Sequence, residues 1–283
     1  MASSSNYIAS IVIPAHGRNH LVERAYASVL ACNGSDLVEV IIIDDFSTPP
    51  LVIEALREQD TIVRTDRQLG AAVGRNIGIE MARGDFLYLL DSDDYFIERD
   101  FLDDHVTLDK GALNYCSIVP SKAAFPPELE YSTLLSDLLF RIPHLCQTSS
   151  LVFHRSLPLR FDEVLPKHQD WDFVFHACKS GIPLRKCRGR VHFDTSDKNS
   201  LSRRYQPDRS RPWLRKILAD DTISTIDKDM LEFHILAKYP QEISWTRILL
   251  SGTRLIFRNR TNLRFLARTI AHRLIQLTRD TSS

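Results

Sequence analysis

GAAVGRNIGIEMARGDFLYLLDSDD, residues 70–94, sets three kinds of segment end to end. From 71 to 84 the apolar positions recur at helical spacing, and Gly84 is placed to close the helix. Phe86 to Leu90 follow as an apolar strand. That strand then runs straight into Asp91, Asp93 and Asp94. Burying a lone carboxylate is costly, and packing three together adds mutual repulsion. Either the strand ends at water in a polar turn, or something cationic is expected there.

The same switch recurs on both sides. IASIVIP (8–14) reads as a buried strand stopped by Pro14, and LVERAYASVLAC (21–32) as an amphipathic helix. VEVIIIDD (38–45) is a second strand ending in acids. PLVIEALREQD (50–60) predicts a helix with Pro49 and Pro50 near its start, and TIVRT (61–65) a short strand. Strand and helix in alternation specify an α/β layer structure with a largely parallel sheet. In such sheets ligands bind beyond the carboxyl ends of the strands. Pro14-Ala15-His16, Asp44-Asp45 and Asp91 to Asp94 are expected to meet there, in one crevice.

Beyond residue 120 the regularity loosens. Residues 131–140 predict a helix, 149–155 a strand and 170–181 a helix ended by Gly181. After 210 the chain reads as mainly helical. Arg247 to Asp280 holds eight arginines and one acid among many Leu, Ile and Phe residues, a basic amphipathic segment. It fits an anionic membrane surface, a partner subunit, or a solvated helical pair.

A chain of 283 residues has room for a full core, and 43% hydrophobic with 25% charged residues is ordinary for a globular protein. Thirty-six basic and 36 acidic residues balance, which gives no argument for nucleic acid as a partner. Five scattered cysteines form no CxxC pair, so neither a zinc site nor a disulfide framework is indicated, and a cytoplasmic setting is expected. The amino terminus lacks a basic n-region, and no apolar stretch approaches the ~20 residues that span a bilayer.

The acids of D-x-D-D suit a hard divalent cation, because Mg2+ and Mn2+ take carboxylate and phosphate oxygens. The competing reading is an Asp/Ser turn that caps a helix beginning near Glu98. Gly70, Gly74 and Gly78 are spaced by four, unlike a dinucleotide-binding loop, and are better read as a small-residue helix face packed against the sheet.

Taken in order, SIVIPAHGR, VEVIIIDDFST and GAAVGRNIGIEMARGDFLYLLDSDD resemble the inverting, nucleotide-sugar-dependent glycosyltransferases of GT-A fold, specifically glycosyltransferase family 2. The likeness is close over residues 8 to about 110 and looser to about 203. It implies a GT-A, Rossmann-like, mostly parallel sheet flanked by helices in residues 1–205. Within it, 8–110 would bind the nucleotide-sugar and 111–205 would serve the acceptor and catalysis. A mainly helical extension would follow over 206–283.

The resemblance also implies roles. Pro14 and Ala15 would run against the nucleotide base, one of Asp44 and Asp45 would accept a hydrogen bond from uracil, and Arg75 and Asn76 would lie beside the donor. Asp91 would sit near the ribose and Asp93 on a Mn2+ or Mg2+ ion bridging the diphosphate. Phe46 and Gly74 depart from the family's usual Gly and Ala. KHQDWDF (167–173) resembles the block whose Asp before Trp is the general base, which assigns Asp170 to catalysis and Trp171 to the acceptor pocket, with Gln169 in place of a frequent Glu. Asp170 as a simple helix cap is the competing reading. RVHFDTSDKNSLSRR (190–204) resembles the family's tail, where His192 would be a further metal ligand and Ser202 and Arg203 would close over the diphosphate.

The implied activity is metal-assisted transfer of a sugar from a UDP-sugar to a saccharide or lipid-linked saccharide hydroxyl, in bacterial surface polysaccharide assembly at the inner face of the cell membrane. The alternatives are a sugar-nucleotidyltransferase, which wants a Gly-rich phosphate loop and a Lys after the first strand, and an inactive nucleotide-sugar-binding module.

Overall fold

The computed structural model describes residues 7–120, 147–194, 207–225, 227–229 and 231. The chain divides into two compact units, one of Met1–Thr133, Asp137–Val164 and His168–Ser200, the other of Leu134–Ser136, Leu165–Lys167 and Leu201–Ser283.

The first unit is built on one eight-stranded sheet in the order β3-β2-β1-β4-β7-β6-β8-β5. Its strands are β1 (Ala9–Ala15), β2 (Val38–Asp44), β3 (Thr61–Arg64), β4 (Phe86–Leu89), β5 (Tyr95–Phe96), β6 (Leu113–Pro120), β7 (Leu151–His154) and β8 (Leu184–Phe193). Helices α1 (Asn19–Leu30), α2 (Ala71–Met81) and α3 (Gln169–Lys179) accompany them. β1, β2, β3 and β4 run parallel, as the alternating pattern predicts. β7 then pairs antiparallel with both β4 and β6, so the second half of the sheet is mixed.

Every residue of β1 and of β2 is buried, which is why both read as continuous apolar runs. Fully burying each Val or Ile contributes roughly 1.5–3 kcal/mol against exposure. α2 lies close on β1 because its glycines permit it. A Cβ at Gly78 would stand 2.3 Å from Val12 Cγ1, and one at Gly74 would stand 3.3 Å from Pro14 Cβ. The small-residue face is therefore a packing device, and it carries Arg75 to the carboxyl edge.

Three local expectations are corrected. Residues 50–60 form no helix, since distant side chains take their backbone N–H groups. Leu51 donates to Asp44, Val52 to Asn19 and Arg57 to the Tyr26 hydroxyl, leaving no helical ladder. α2 ends at Met81, and Gly84 serves a close approach to β1, where a Cβ would stand 2.3 Å from the Ala9 carbonyl carbon. No helix begins near Glu98 either; β5 and a turn occupy that stretch, so the acids cap nothing there.

In the second unit, α4 (Pro207–Ala219) buries Trp213 and Ile217. The predicted helix at 131–140 and the basic segment at 247–280 lie outside the described residues. Among the described residues no helix is long and apolar enough to cross a membrane.

Candidate active site

The parallel strands deliver their acids to one edge, and each acid is then put to a different use. Asp44 closes β2 almost fully buried. Its carboxylate accepts from the backbone N–H groups of Ser47 and Leu51 and, at 2.6 Å, from Arg64. Burial opposes its ionisation, but the bonds from Ser47, Leu51 and Arg64 outweigh burial and hold it below the usual carboxylate range. Asp45 is buried too. It accepts from the N–H groups of Leu69 (2.6 Å) and Gly70 (2.8 Å), and so shapes the turn that starts α2. Both carboxylates thus organise loops around the strand ends, and Asp45 N–H donates to Ala15 O at 2.8 Å. Pro14 and Ala15 lie at the end of β1, in register with Ile43 and Asp44.

At the end of β4 the three acids separate. Asp91 is bound by Arg75 Nη2 at 2.6 Å, and Arg75 Nη1 reaches Gln169 Oε1 at 3.4 Å. The same guanidinium lies over the Phe161 ring at 5.0 Å. Arg75 therefore joins the D-x-D loop to the first turn of α3. Asn76 faces elsewhere: it accepts from Phe161 N–H and donates to Phe161 O and Glu163, clamping residues 161–163 to α2.

Asp93 is a quarter exposed and faces the Arg18 guanidinium at 3.6 Å. Burial, followed by the charge of Asp91, pushes its pKa up, and Arg18 partly offsets both. Asp94 is the buried member of the group. It accepts from the Ser149 hydroxyl and, at 3.0 Å, from Asp194 N–H. Ser149 Oγ also accepts from Asp91 N–H, so Asp94 ties the end of β8 and the loop before β7 to the acidic turn. Burial drives the Asp94 pKa well up, and the charges of Asp91 and Asp93 add to it.

Asp170 lies in the first turn of α3 and accepts from Trp171 N–H at 3.0 Å. The capping residue is His168, in left-handed conformation with φ 63, its ring lying against Trp171 with centroids 4.5 Å apart and planes tilted by 35°. Burial pushes the Asp170 pKa to about 6, with the Trp171 N–H and Arg75 pulling the other way. That is a carboxylate poised to take a proton near neutral pH.

His192 of β8 pairs with Tyr95 of β5 and stacks on its ring at 4.4 Å. Arg24 covers the same Tyr95 ring at 4.9 Å and donates to the carbonyl of Asp93 and to Asp194. The His192 Nδ1 is buried without a hydrogen-bond partner among the described residues. Also among them, no three His, Cys, Asp or Glu side chains converge as a ready-made metal cage. The carboxylates of Asp91 and Asp93, each about a quarter exposed, and the spare His192 nitrogen nonetheless fit Mg2+ or Mn2+, which draw remaining ligands from phosphate and water. Ser202 and Arg203 lie outside the described residues.

Arg18, Arg24, Ser149 and Asp194 escaped the sequence reading. Each comes from a segment remote from residues 91–94, and only the fold brings them there.

Residues 10–123 match the family model described as Glycosyl transferase family 2. An uncharacterized glycosyltransferase of Haemophilus influenzae (strain ATCC 51907 / DSM 11121 / KW20 / Rd) is 29% identical over 187 residues, 60% of this chain and 71% of the relative. The succinoglycan biosynthesis protein ExoO of Rhizobium meliloti (strain 1021) is 32% identical over 198 residues, 61% of this chain but only 56% of ExoO. Among solved structures, residues 1–349 of S. aureus TarS in complex with UDP-GlcNAc share the fold. The TM-score is 0.61 at 15% identity, covering 94% of this chain and 88% of that one.

Proposed function

Residues 10–123 belong to glycosyl transferase family 2, on a GT-A fold, and from that premise we propose that the protein is an inverting glycosyltransferase. It moves a sugar from a nucleoside diphosphate donor, UDP-linked, to a saccharide hydroxyl. The observation that carries this reading is the link from Asp91 through Arg75 to Gln169, which sets a donor-side acid and the half-buried Asp170 around one guanidinium.

The chemistry assigns the proton. As the acceptor oxygen forms its bond to the anomeric carbon, the bond to the diphosphate oxygen breaks and that electron pair leaves with the nucleoside diphosphate. The acceptor hydroxyl must shed its proton in the same event, and Asp170, with a pKa of about 6, is ionised and receptive at neutral pH. Attack from the face opposite the leaving group inverts the anomeric centre. Trp171, whose ring is fixed against His168, is suited to wall the acceptor side. Arg75 holds Asp91 in place and lowers the cost of having two carboxylates near one another. A Mg2+ or Mn2+ ion, held by Asp93 with His192 as a further ligand, would supply Lewis-acid neutralisation of the leaving diphosphate.

The relatives support a role in polysaccharide assembly, since ExoO is named for succinoglycan biosynthesis. The basic segment at 247–280 favours a working place on the anionic inner face of the membrane. The test is transfer from UDP-sugars to a saccharide acceptor, with wild type beside Asp93→Ala and Asp170→Asn. Loss of transfer in both variants supports the reading. Full activity of Asp170→Asn removes the assigned base, and activity indifferent to divalent cation and to Asp93→Ala removes the metal.

A further inference from the structure

Phe46 follows Asp45 at the carboxyl end of β2 with its backbone in the left-handed region, at φ 60. A side chain with a Cβ is strained there, and the position suits Gly or Asn far better. Burial does not repay the strain, because 42% of the residue is exposed. A strained, exposed aromatic persists only where its surroundings over-determine it. Here they do. Before it, Asp45 N–H donates to Ala15 O and the Asp45 carbonyl meets His16 Nδ1 at 2.7 Å. After it, Ser47 N–H donates to Asp44, and Ser47 Oγ accepts from Gly17 N–H at 2.7 Å. The ring is braced by Arg64, whose guanidinium lies 5.1 Å from its centroid and is itself fixed on Asp44 at 2.6 Å.

We propose that Phe46, backed by Arg64, is the platform on which the donor's nucleobase stacks, and so a donor-binding residue of the transferase. This rests on the glycosyltransferase reading above. The sheet order supports the assignment. Asp93 follows β4, and β2 lies two strands away across β1, about 10 Å at ordinary strand spacing. With the diphosphate at Asp93, the ribose crosses the end of β1 and the base arrives at the end of β2. An aromatic face stabilises a planar base there without reading its edge, leaving hydrogen-bond selection to neighbouring groups.

Calorimetric titration of the full chain with UDP, GDP and Mn2+-pyrophosphate tests this, for wild type, Phe46→Gly and Phe46→Tyr. Glycine accepts φ 60 without strain, so Phe46→Gly folds, and its melting temperature is measured alongside. The expected result is an affinity for UDP on the order of tenfold weaker in Phe46→Gly, with pyrophosphate binding unchanged and Phe46→Tyr within about twofold of wild type. Unchanged UDP affinity in Phe46→Gly overturns the proposal while leaving the transferase reading intact. Equal loss of UDP and pyrophosphate also overturns it, because a collapsed loop and not a lost stack then explains the effect. Wild type that binds no nucleoside diphosphate overturns the transferase reading itself, and this proposal with it.

Discussion

Arg75 Nη2 and Asp91 Oδ1 stand 2.6 Å apart, and the arginine side chain is only 8% exposed. The pair joins α2 to the end of β4 at the point where Gln169 brings in α3. Removing the guanidinium strands Asp91 near Asp93 and Asp94. Arg75→Met is expected to cost about 1–3 kcal/mol, read as a lower melting temperature, together with a loss of turnover. Arg75→Met combined with Asp91→Asn is expected to cost less than the sum of the two, since neither charge is then left unpaired.

Asp170 makes a prediction about pH. Its folded pKa of about 6 lies above its ordinary value of 3.8, so the folded state binds that proton more tightly than the unfolded chain. Its contribution to stability is full below about 3.8 and is lost as pH rises through about 6. Wild type is therefore expected to lose melting temperature relative to Asp170→Asn between pH 4 and pH 7. Activity runs the other way: the base works only when ionised, so kcat/KM rises with pH along an acid limb centred near 6. Parallel melts and rate profiles check both.

Gly78 and Gly74 are expected to differ sharply. Gly78→Ala puts a methyl 2.3 Å from Val12 Cγ1 and should cost about 1–3 kcal/mol. Gly74→Ala meets Pro14 Cβ at 3.3 Å, a contact relieved by a few tenths of an ångström, and should stay within about 1 kcal/mol of wild type. Chemical denaturation of the two variants separates them.

Asp94 is expected to act by position. Asp94→Ala frees Ser149 and the Asp194 N–H, and so loosens both the loop before β7 and the end of β8. Hydrogen exchange should quicken at residues 91–96 and 190–194, with kcat falling more than donor affinity. Asp94→Asn keeps one acceptor, for the Asp194 N–H, and offers an amide N–H to the Ser149 oxygen in place of the other, so it should restore part of the protection.

The parallel half of the sheet was legible because strands buried on both faces leave apolar runs, as IVIP in β1 and VIII in β2 show. The acids at their ends were legible as a polar edge, but not the use made of them: Asp44 and Asp45 hold loops around the strand ends. Residues 50–60 misled because their apolar spacing is helical, while the bonds that decide their path come from Asp44, Asn19 and Tyr26. Gly84 looked like a helix stop, yet its need for no Cβ arises from Ala9, some seventy positions away. The roles of Asp94, Arg18 and Arg24 depend on partners from several segments, and no local pattern encodes such a meeting.

The proposed base, Asp170, takes the proton from the acceptor while the donor is held elsewhere. Donor binding and transfer measured together on wild type and Asp170→Asn test it most directly, by titration with UDP in Mn2+ and by single-turnover transfer from the UDP-sugar. Asp170→Asn is expected to keep UDP affinity unchanged and to transfer roughly 10²–10⁴-fold more slowly. Transfer at the wild-type rate by Asp170→Asn would contradict it.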